Sequence, residues 1–323
     1  MADYKNIKGF NIQYLDSDPP NPIEGQMWFN STTQTLKGAE AGGAPIGTWA
    51  SGSALNTARY SLGASGTSNT SALAFGGANP RTAVTEEYNG STWTEVNDLN
   101  SLRNELAGFG TQTSALAAGG YEPPGVTAKT ESWDGTNWTE VNDMNSGRND
   151  AAGFGLQTAG ISATGAPATP TNVESWDGTS WTEIAEVNTG RAVASGFGIQ
   201  TSGVIAGGDT PPVSALTELY NGTSWTEVGD LNTARKTGNS NGSGTSTAGL
   251  VYGGEEPAAT GKTESWDGTS WTEQADLATA RYRVAGVGTI NSTLAFGGLT
   301  PTVTGATEEW TAAPISIKTF TTS

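Results

Sequence analysis

The sequence predicts an all-β fold, a β-propeller, on three observations. A tryptophan recurs at a period of 43–46 residues, each copy divides into four short strand-like segments, and no segment sustains a helical period. The tryptophans are Trp49, Trp93, Trp138, Trp181, Trp225 and Trp271, spaced 44, 45, 43, 44 and 46 residues apart. An arginine follows each by ten residues: Arg59, Arg103, Arg148, Arg191, Arg235 and Arg281. An aromatic precedes all but the first by five residues: Tyr88, Trp133, Trp176, Tyr220 and Trp266, with Trp310 as a sixth of that kind. Glycine pairs recur at 76–77, 119–120, 207–208, 253–254 and 297–298, and the third copy departs with Thr164-Gly165.

Each strand has its own signature. The first is Gly-rich and apolar, as in AAGFGLQT from Ala151, and the second is a small apolar run ending in the glycine pair, as in TSALAFGG from Thr70. Neither alternates cleanly, as expected of strands buried on both faces, and glycine suits places where backbones approach closely. The third, as in TESWDG from Thr263, leads into Asp-Gly or Asn-Gly, a step that favours the positive φ of tight hairpins. The fourth starts at the repeat tryptophan, as in WTEVND from Trp93.

The ordered set over residues 45–310 is a glycine pair, Glu-x-Tyr/Trp, Trp, usually Leu/Met/Val-Asn-x-x-Arg, then Gly-x-Gly. It resembles the kelch repeat. That resemblance implies a six-bladed propeller with the glycine pairs ending each second strand. The Asp-box of sialidases is a weaker likeness: 175–181, SWDGTSW, is one residue short between Asp and Gly. The tryptophans are expected to fill the gaps between neighbouring sheets, and the arginines to bond loop carbonyls between blades.

The repeat begins in its middle. Trp49 belongs to a fourth strand, and the last copy ends after its third at Trp310, so the two partial copies are expected to complete one blade. The competing partner is the tail, where 315–318 alternates like a strand behind Pro314. The expected organisation is therefore an anchor segment over 1–44, a propeller over 45–312 and a tail over 313–323.

Residues 1–44 do not match the repeat. Asp18-Pro19-Pro20-Asn21-Pro22 reads as a turn or extended linker, and QMWFN and TLKG as a hairpin. One hairpin is marginal alone, so Trp28 and Phe29 are expected to bury against a partner, with the 39–47 stretch AEAGGAPIG as a flexible link. The run Pro-x-Glu-Gly-Gln-x-Trp-x-Asn-Ser-Thr over this hairpin resembles a module of tailed-phage fibre and appendage proteins. The Thr-, Asn- and Gly-rich repeats look like the kelch-like proteins of marine phages. The resemblance implies a virion structural protein, assembled in the host cytoplasm and attached through residues 1–44 to other virion subunits.

Composition removes several chemistries. The chain holds 323 residues with no cysteine and no histidine, so disulfides, thiol catalysis, a Ser-His-Asp triad and Cys- or His-ligated metals are excluded. A net charge of −17 argues against nucleic-acid binding, and no apolar run approaches a membrane span. No secretion leader is evident at the N-terminus. With 45 glycines and 14 prolines the chain stays below the roughly 25–30% that marks low-complexity sequence. No cofactor and no metal are expected. Glu95, Glu140, Glu183, Glu227 and Glu273 each stand two residues after a repeat tryptophan and read as solvated outer-strand residues rather than a catalytic pair. Kelch-type oxidases hold copper partly by histidine beside a cysteine-crosslinked tyrosine, so that activity does not carry over.

The informative asymmetry is in the loops. The turns between third and fourth strands hardly vary: NGST, DGTN, DGTS, NGTS, DGTS. The loops after the glycine pairs all differ and all carry proline, which lowers the entropy lost on binding. Loops on a rigid scaffold are where recognition concentrates. The candidate contacts are Arg81, Tyr121, Glu122, Asp209, Glu255 and Glu256. In kelch-like propellers the residues just after the repeat arginines emerge on the same face, which adds Tyr60, Asn104, Asn149, Asp150, Lys236, Tyr282 and Arg283. The expected function is non-enzymatic display of these loops to a host-surface glycan or protein, or to a virion protein. The alternatives are a cellular kelch-type adaptor or lectin and, third, a glycan-cleaving enzyme.

Overall fold

The computed structural model describes residues 12–19, 26–40, 47–167, 170–238, 242–313 and 316–320. Residues 20–25 of the N-terminal segment, 41–46 of the expected link, and Pro314 and Ile315 lie outside them. Among the described residues every regular element is a strand, and no helix is long and apolar enough to cross a membrane. The chain divides into two compact units. One is Gly47–Thr311; the other comprises Met1–Ile46 and Ala312–Ser323.

Among its described residues the larger unit contains six four-stranded sheets, all antiparallel where the register is given. Sheet 1 is Gly63–Ser68, Ser71–Phe75, Thr85–Tyr88 and Trp93–Val96. Sheet 2 is Ala107–Thr111, Ser114–Ala118, Thr130–Trp133 and Trp138–Val141. Sheet 3 is Ala152–Leu156, Ala159–Ala163, Val173–Trp176 and Trp181–Glu183. Sheet 4 is Ser195–Ile199, Ser202–Ala206, Thr217–Tyr220 and Trp225–Glu227. Sheet 5 is Gly242–Thr245, Ala248–Tyr252, Thr263–Trp266 and Trp271–Glu273. Sheet 6 is Ala285–Thr289, Ser292–Phe296 and Thr307–Ala312, with Gly47–Gly52 in fourth place. The strand of Trp49 thus lies beside that of Trp310, and Ser316–Phe320 pairs elsewhere, with Thr35–Glu40.

First strands lie side by side in chain order, and that of sheet 6 lies against those of both sheet 5 and sheet 1. They surround a cavity of about 110 Å³ lined by glycines such as Gly108, Gly153 and Gly196. The repeat tryptophans join neighbouring sheets. Trp138 of sheet 2 packs edge-on to Phe75 of sheet 1 at 4.8 Å and donates Nε1–H to Thr85 Oγ1 at 3.1 Å. Trp93 does the same with Phe296 and Thr307 of sheet 6, and Trp181 with Phe109 and Thr130 of sheet 2. Trp49 meets Tyr252 and Thr263 of sheet 5. Edge-to-face aromatic pairs contribute about 0.5–1.5 kcal/mol beyond their buried area.

The repeat arginines bond loop carbonyls, as expected, and also pair with buried acids that were not expected. They are buried: Arg103 donates to Ala117 in the second strand of the following sheet and to the loop carbonyls of Gly119 and Lys129, and Arg59, Arg191 and Arg235 also reach the carbonyls of Thr57, Thr189 and Thr233 in their own connections. Each also pairs with the first glutamate of its own Glu-x-aromatic strand: Arg59 with Glu86, Arg103 with Glu131 at 3.0 Å, Arg148 with Glu174, Arg191 with Glu218 at 2.7 Å, Arg235 with Glu264, and Arg281 with Glu308 at 3.1 Å. The Asn-x-x-Arg motif completes the cradle. Asn100 donates its backbone N–H and its Nδ2 to the second oxygen of Glu131 at 2.7 and 2.9 Å, and Nδ2 reaches the Trp138 carbonyl at 3.0 Å. Two buried charges are tolerable here because every carboxylate oxygen is bonded.

In the smaller unit, Met27–Asn30 and Thr35–Glu40 form the expected hairpin. Two strands extend it: Gln13–Leu15 pairs parallel to Met27–Asn30, and Ser316–Phe320 pairs antiparallel to Thr35–Glu40. The expectation that Trp28 needs a partner molecule is overturned. Trp28 is 0% exposed within the single chain, and its Nε1–H donates to Asp18 at 3.0 Å. Asp18 also receives Asn30 and Lys37, and these three hydrogen bonds hold its carboxyl down at about 2. Phe29 is half-buried and stacks on Tyr14 at 5.0 Å.

Candidate functional site

The antiparallel order places the loops after the second strands at the same end as the connections that carry the repeat arginines. One bridge per copy ties the two together. The residue after each arginine pairs with the residue after each glycine pair (Thr164-Gly165 in the third copy): Tyr60 with Ala78, Asn104 with Tyr121, Asn149 with Ala166, Ala192 with Asp209, Lys236 with Glu255, and Tyr282 with Leu299. The opposite end carries the uniform turns. There Asp134 accepts the backbone N–H groups of Thr136 and Asn137 at 2.8 and 2.7 Å, which holds its pKa down, and Gly135 takes φ 92°.

The structure brings most of the sequence-nominated residues into pairs at the loop end. Arg81 lies 4.7 Å over the Tyr121 ring and donates Nε–H to Asn104 Oδ1 at 2.6 Å. Glu122 pairs with Lys129 at 3.0 Å, and Glu256 with Lys262 at 3.4 Å. Lys236 reaches Asp209 at 3.0 Å and Glu255 at 3.8 Å. Tyr282 lines a groove of about 470 Å³ with Pro257, Thr300 and Pro301. Tyr60 is half-buried and enters through its backbone bridge to Ala78.

A second feature lies two residues after each arginine, at Ser61, Glu105, Asp150, Val193, Thr237 and Arg283. Backbone N–H groups pass from one to the next: Ser61 to Arg283 O, Glu105 to Ser61 O, Asp150 to Glu105 O, Val193 to Asp150 O and Thr237 to Val193 O, at 2.8–3.2 Å. Ser61, Glu105, Asp150, Val193 and Arg283 hold φ of 52–58°, a left-handed conformation that non-glycine residues rarely adopt. Arg283 sits among Ser61 Oγ at 2.8 Å, Glu105 at 3.0 Å and Asp150 at 3.3 Å, and Asn149 donates to Glu105 at 2.6 Å. Burial pushes the Asp150 carboxyl up to about 6, and Glu105 adds to this against the pull of Arg283. Burial also opposes the Arg283 charge, but Asp150 and Glu105 outweigh it and its pKa rises.

No protein-family model matches the sequence, and no curated protein matches it.

Asp150 and Arg283 were nominated from sequence; Ser61, Glu105, Val193 and Thr237 were not. The available signal was the position itself. Two residues after an invariant arginine the chain runs Ser, Glu, Asp, Val, Thr, Arg, a variety that a purely structural position in a repeat does not need. At this end the arrangement offers fixed charges, amides and aromatic faces on stiff loops, which are the means of binding a polar ligand.

Proposed function

We propose that this chain is a non-enzymatic structural protein of a tailed-phage virion: a closed six-bladed kelch-like β-propeller whose loop end binds a host-surface glycan or protein, or another virion protein. The single observation that carries the reading is the convergence of six dissimilar proline-bearing loops at one end, each tied to an arginine-bearing connection, over near-identical turns at the other. The cyclic neighbour order of the first strands and the fourth place of Gly47–Gly52 in sheet 6 support closure and the blade count.

Attachment to the particle is assigned to the smaller unit. With Trp28 buried, the aromatic surface it offers among the described residues is Tyr14, 74% exposed, with Phe29 and Phe320. Register places Tyr14, Phe29, Leu36 and Phe320 in one row across the four strands, hence on one face. The test is immunogold labelling and peptide mass spectrometry of purified particles with antibodies to the full chain. Label on particles is the expected result; a chain found only in the particle-free host lysate contradicts it.

A further inference from the structure

Twelve lysine and arginine side chains are placed among the described residues, and eleven of them have a carboxylate within 4.0 Å. Arg81 is the exception. On a chain of net charge −17, an arginine held without an acid is conspicuous. It is also held in place. Its Nε is taken by Asn104, whose own side chain is 4% exposed, and its guanidinium plane lies over Tyr121. Asn104 and Tyr121 are in turn locked by their backbone bridge, with Tyr121 N–H donating to Asn104 O at 2.7 Å. The loops that carry Arg81 and Tyr121 contain Pro80 and the Pro123-Pro124 pair. Both arms of the site are therefore stiff before any ligand arrives.

With Nε engaged, the donors left are those of Nη1 and Nη2. Together they form the end-on fork that matches the two oxygens of one carboxylate. Glu122, which follows Tyr121 in the chain, is already paired with Lys129. We propose that Arg81, oriented by Asn104 and Tyr121, is the binding site for the carboxylate of an acidic sugar, with the fork on the carboxylate and the adjoining half-buried loop surface against the sugar ring. The inference rests on the reading of the loop end as the recognition surface. A single guanidinium fits a single negative charge. The long-range field of a −17 chain repels a polyacidic peptide more than a sugar that brings one charge and otherwise neutral hydroxyls.

The test uses the full chain and four immobilised probes: oligosaccharides ending in a uronic or sialic acid, their methyl esters, their sulfated counterparts and an acidic peptide. The expected result is preference for the free acid over its ester. Arg81→Gln should lower affinity for the acid at least tenfold, leave ester binding unchanged and leave the melting temperature unchanged. Arg81→Lys, which keeps the charge and loses the fork, should fall between. Equal binding of acid and ester, or an unaltered Arg81→Gln variant, overturns this inference and leaves the loop-end reading standing. Equal or tighter binding of the sulfated sugar or the peptide overturns the assignment to carboxylated sugars. Binding of no glycan at all overturns both this inference and the glycan reading of the loop end.

Discussion

Phe109, Phe154 and Phe197 each reach from the first strand of their own sheet onto a glycine in the second strand of the next. A methyl group built on Gly160, Gly203 or Gly249 would lie 2.1, 2.1 and 2.3 Å from those rings. Where the first-strand residue is instead Ser65, Ser243 or Val287, the matching position in the next sheet is Ala115, Thr293 or Ala72. Side-chain volume is thus exchanged across each junction, as close packing demands. Gly203→Ala should destabilise the chain by roughly 1–3 kcal/mol, and Phe154→Leu should relieve part of that loss. Denaturant unfolding of both single variants and the double variant measures it; a strictly additive cycle would contradict the contact. The buried ion pairs make a second prediction. Glu131→Gln leaves Arg103 uncompensated in the interior and should cost about 3–5 kcal/mol, whereas Glu140→Gln, on an exposed outer strand, should stay within about 0.5 kcal/mol. A third concerns pH. Burial pushes the Asp150 carboxyl up to about 6 in the folded chain, above its ordinary 3.8, so the native state should bind more protons than the unfolded one between those values. Its contribution to stability should therefore fall as pH rises through that window. Asp150→Asn should flatten this part of the melting-temperature profile, and an unchanged slope would refute the assignment.

At the scale of elements, the fourth strands contribute unequally. Trp138 is 5% exposed and bonded to Thr85, while Trp49 in the strand that completes sheet 6 is only partly buried. The expected order of destabilisation is Trp138→Ala, about 3–5 kcal/mol, then Trp49→Ala, then the exposed Asn137→Ala near zero. Equal melting temperatures for the three would sink the role given to the tryptophans. The four strands per copy, their turns and the bridging tryptophans were legible in the sequence because each signal recurs in register. The glutamate partners of the arginines were not. In TEEY and TESW a buried and a more exposed polar residue adjoin, and only the three-dimensional need of a buried guanidinium tells Glu86 from Glu87. Gln13–Leu15 was missed for a related reason, and for the tail the alternation over 315–318 was legible but its partner, Thr35–Glu40, was not. Each occurs once, and its place in the sheet is set by a partner distant in the chain. The hydrogen bond that Asp18 accepts from Trp28 was likewise invisible, because nothing in the sequence pairs those two positions.

For the whole molecule, the loop end was legible as a place, through proline-bearing loops that differ beside turns that do not, but its internal pairing was not. Arg81 on Tyr121, Lys236 between Asp209 and Glu255, and Arg283 between Glu105 and Asp150 join residues from different copies, so no single repeat displays them. The account makes this end the recognition surface and the turn end a passive one. The measurement that tests it most directly is binding of labelled full-length chain to the proposed host's cell surface, comparing the loop-end pair Arg81→Gln and Tyr282→Ala with the turn-end pair Asn137→Ala and Thr179→Ala. The account predicts at least a tenfold loss for the first pair and wild-type binding for the second; loss confined to the turn-end pair, or equal binding by all four variants, would contradict it.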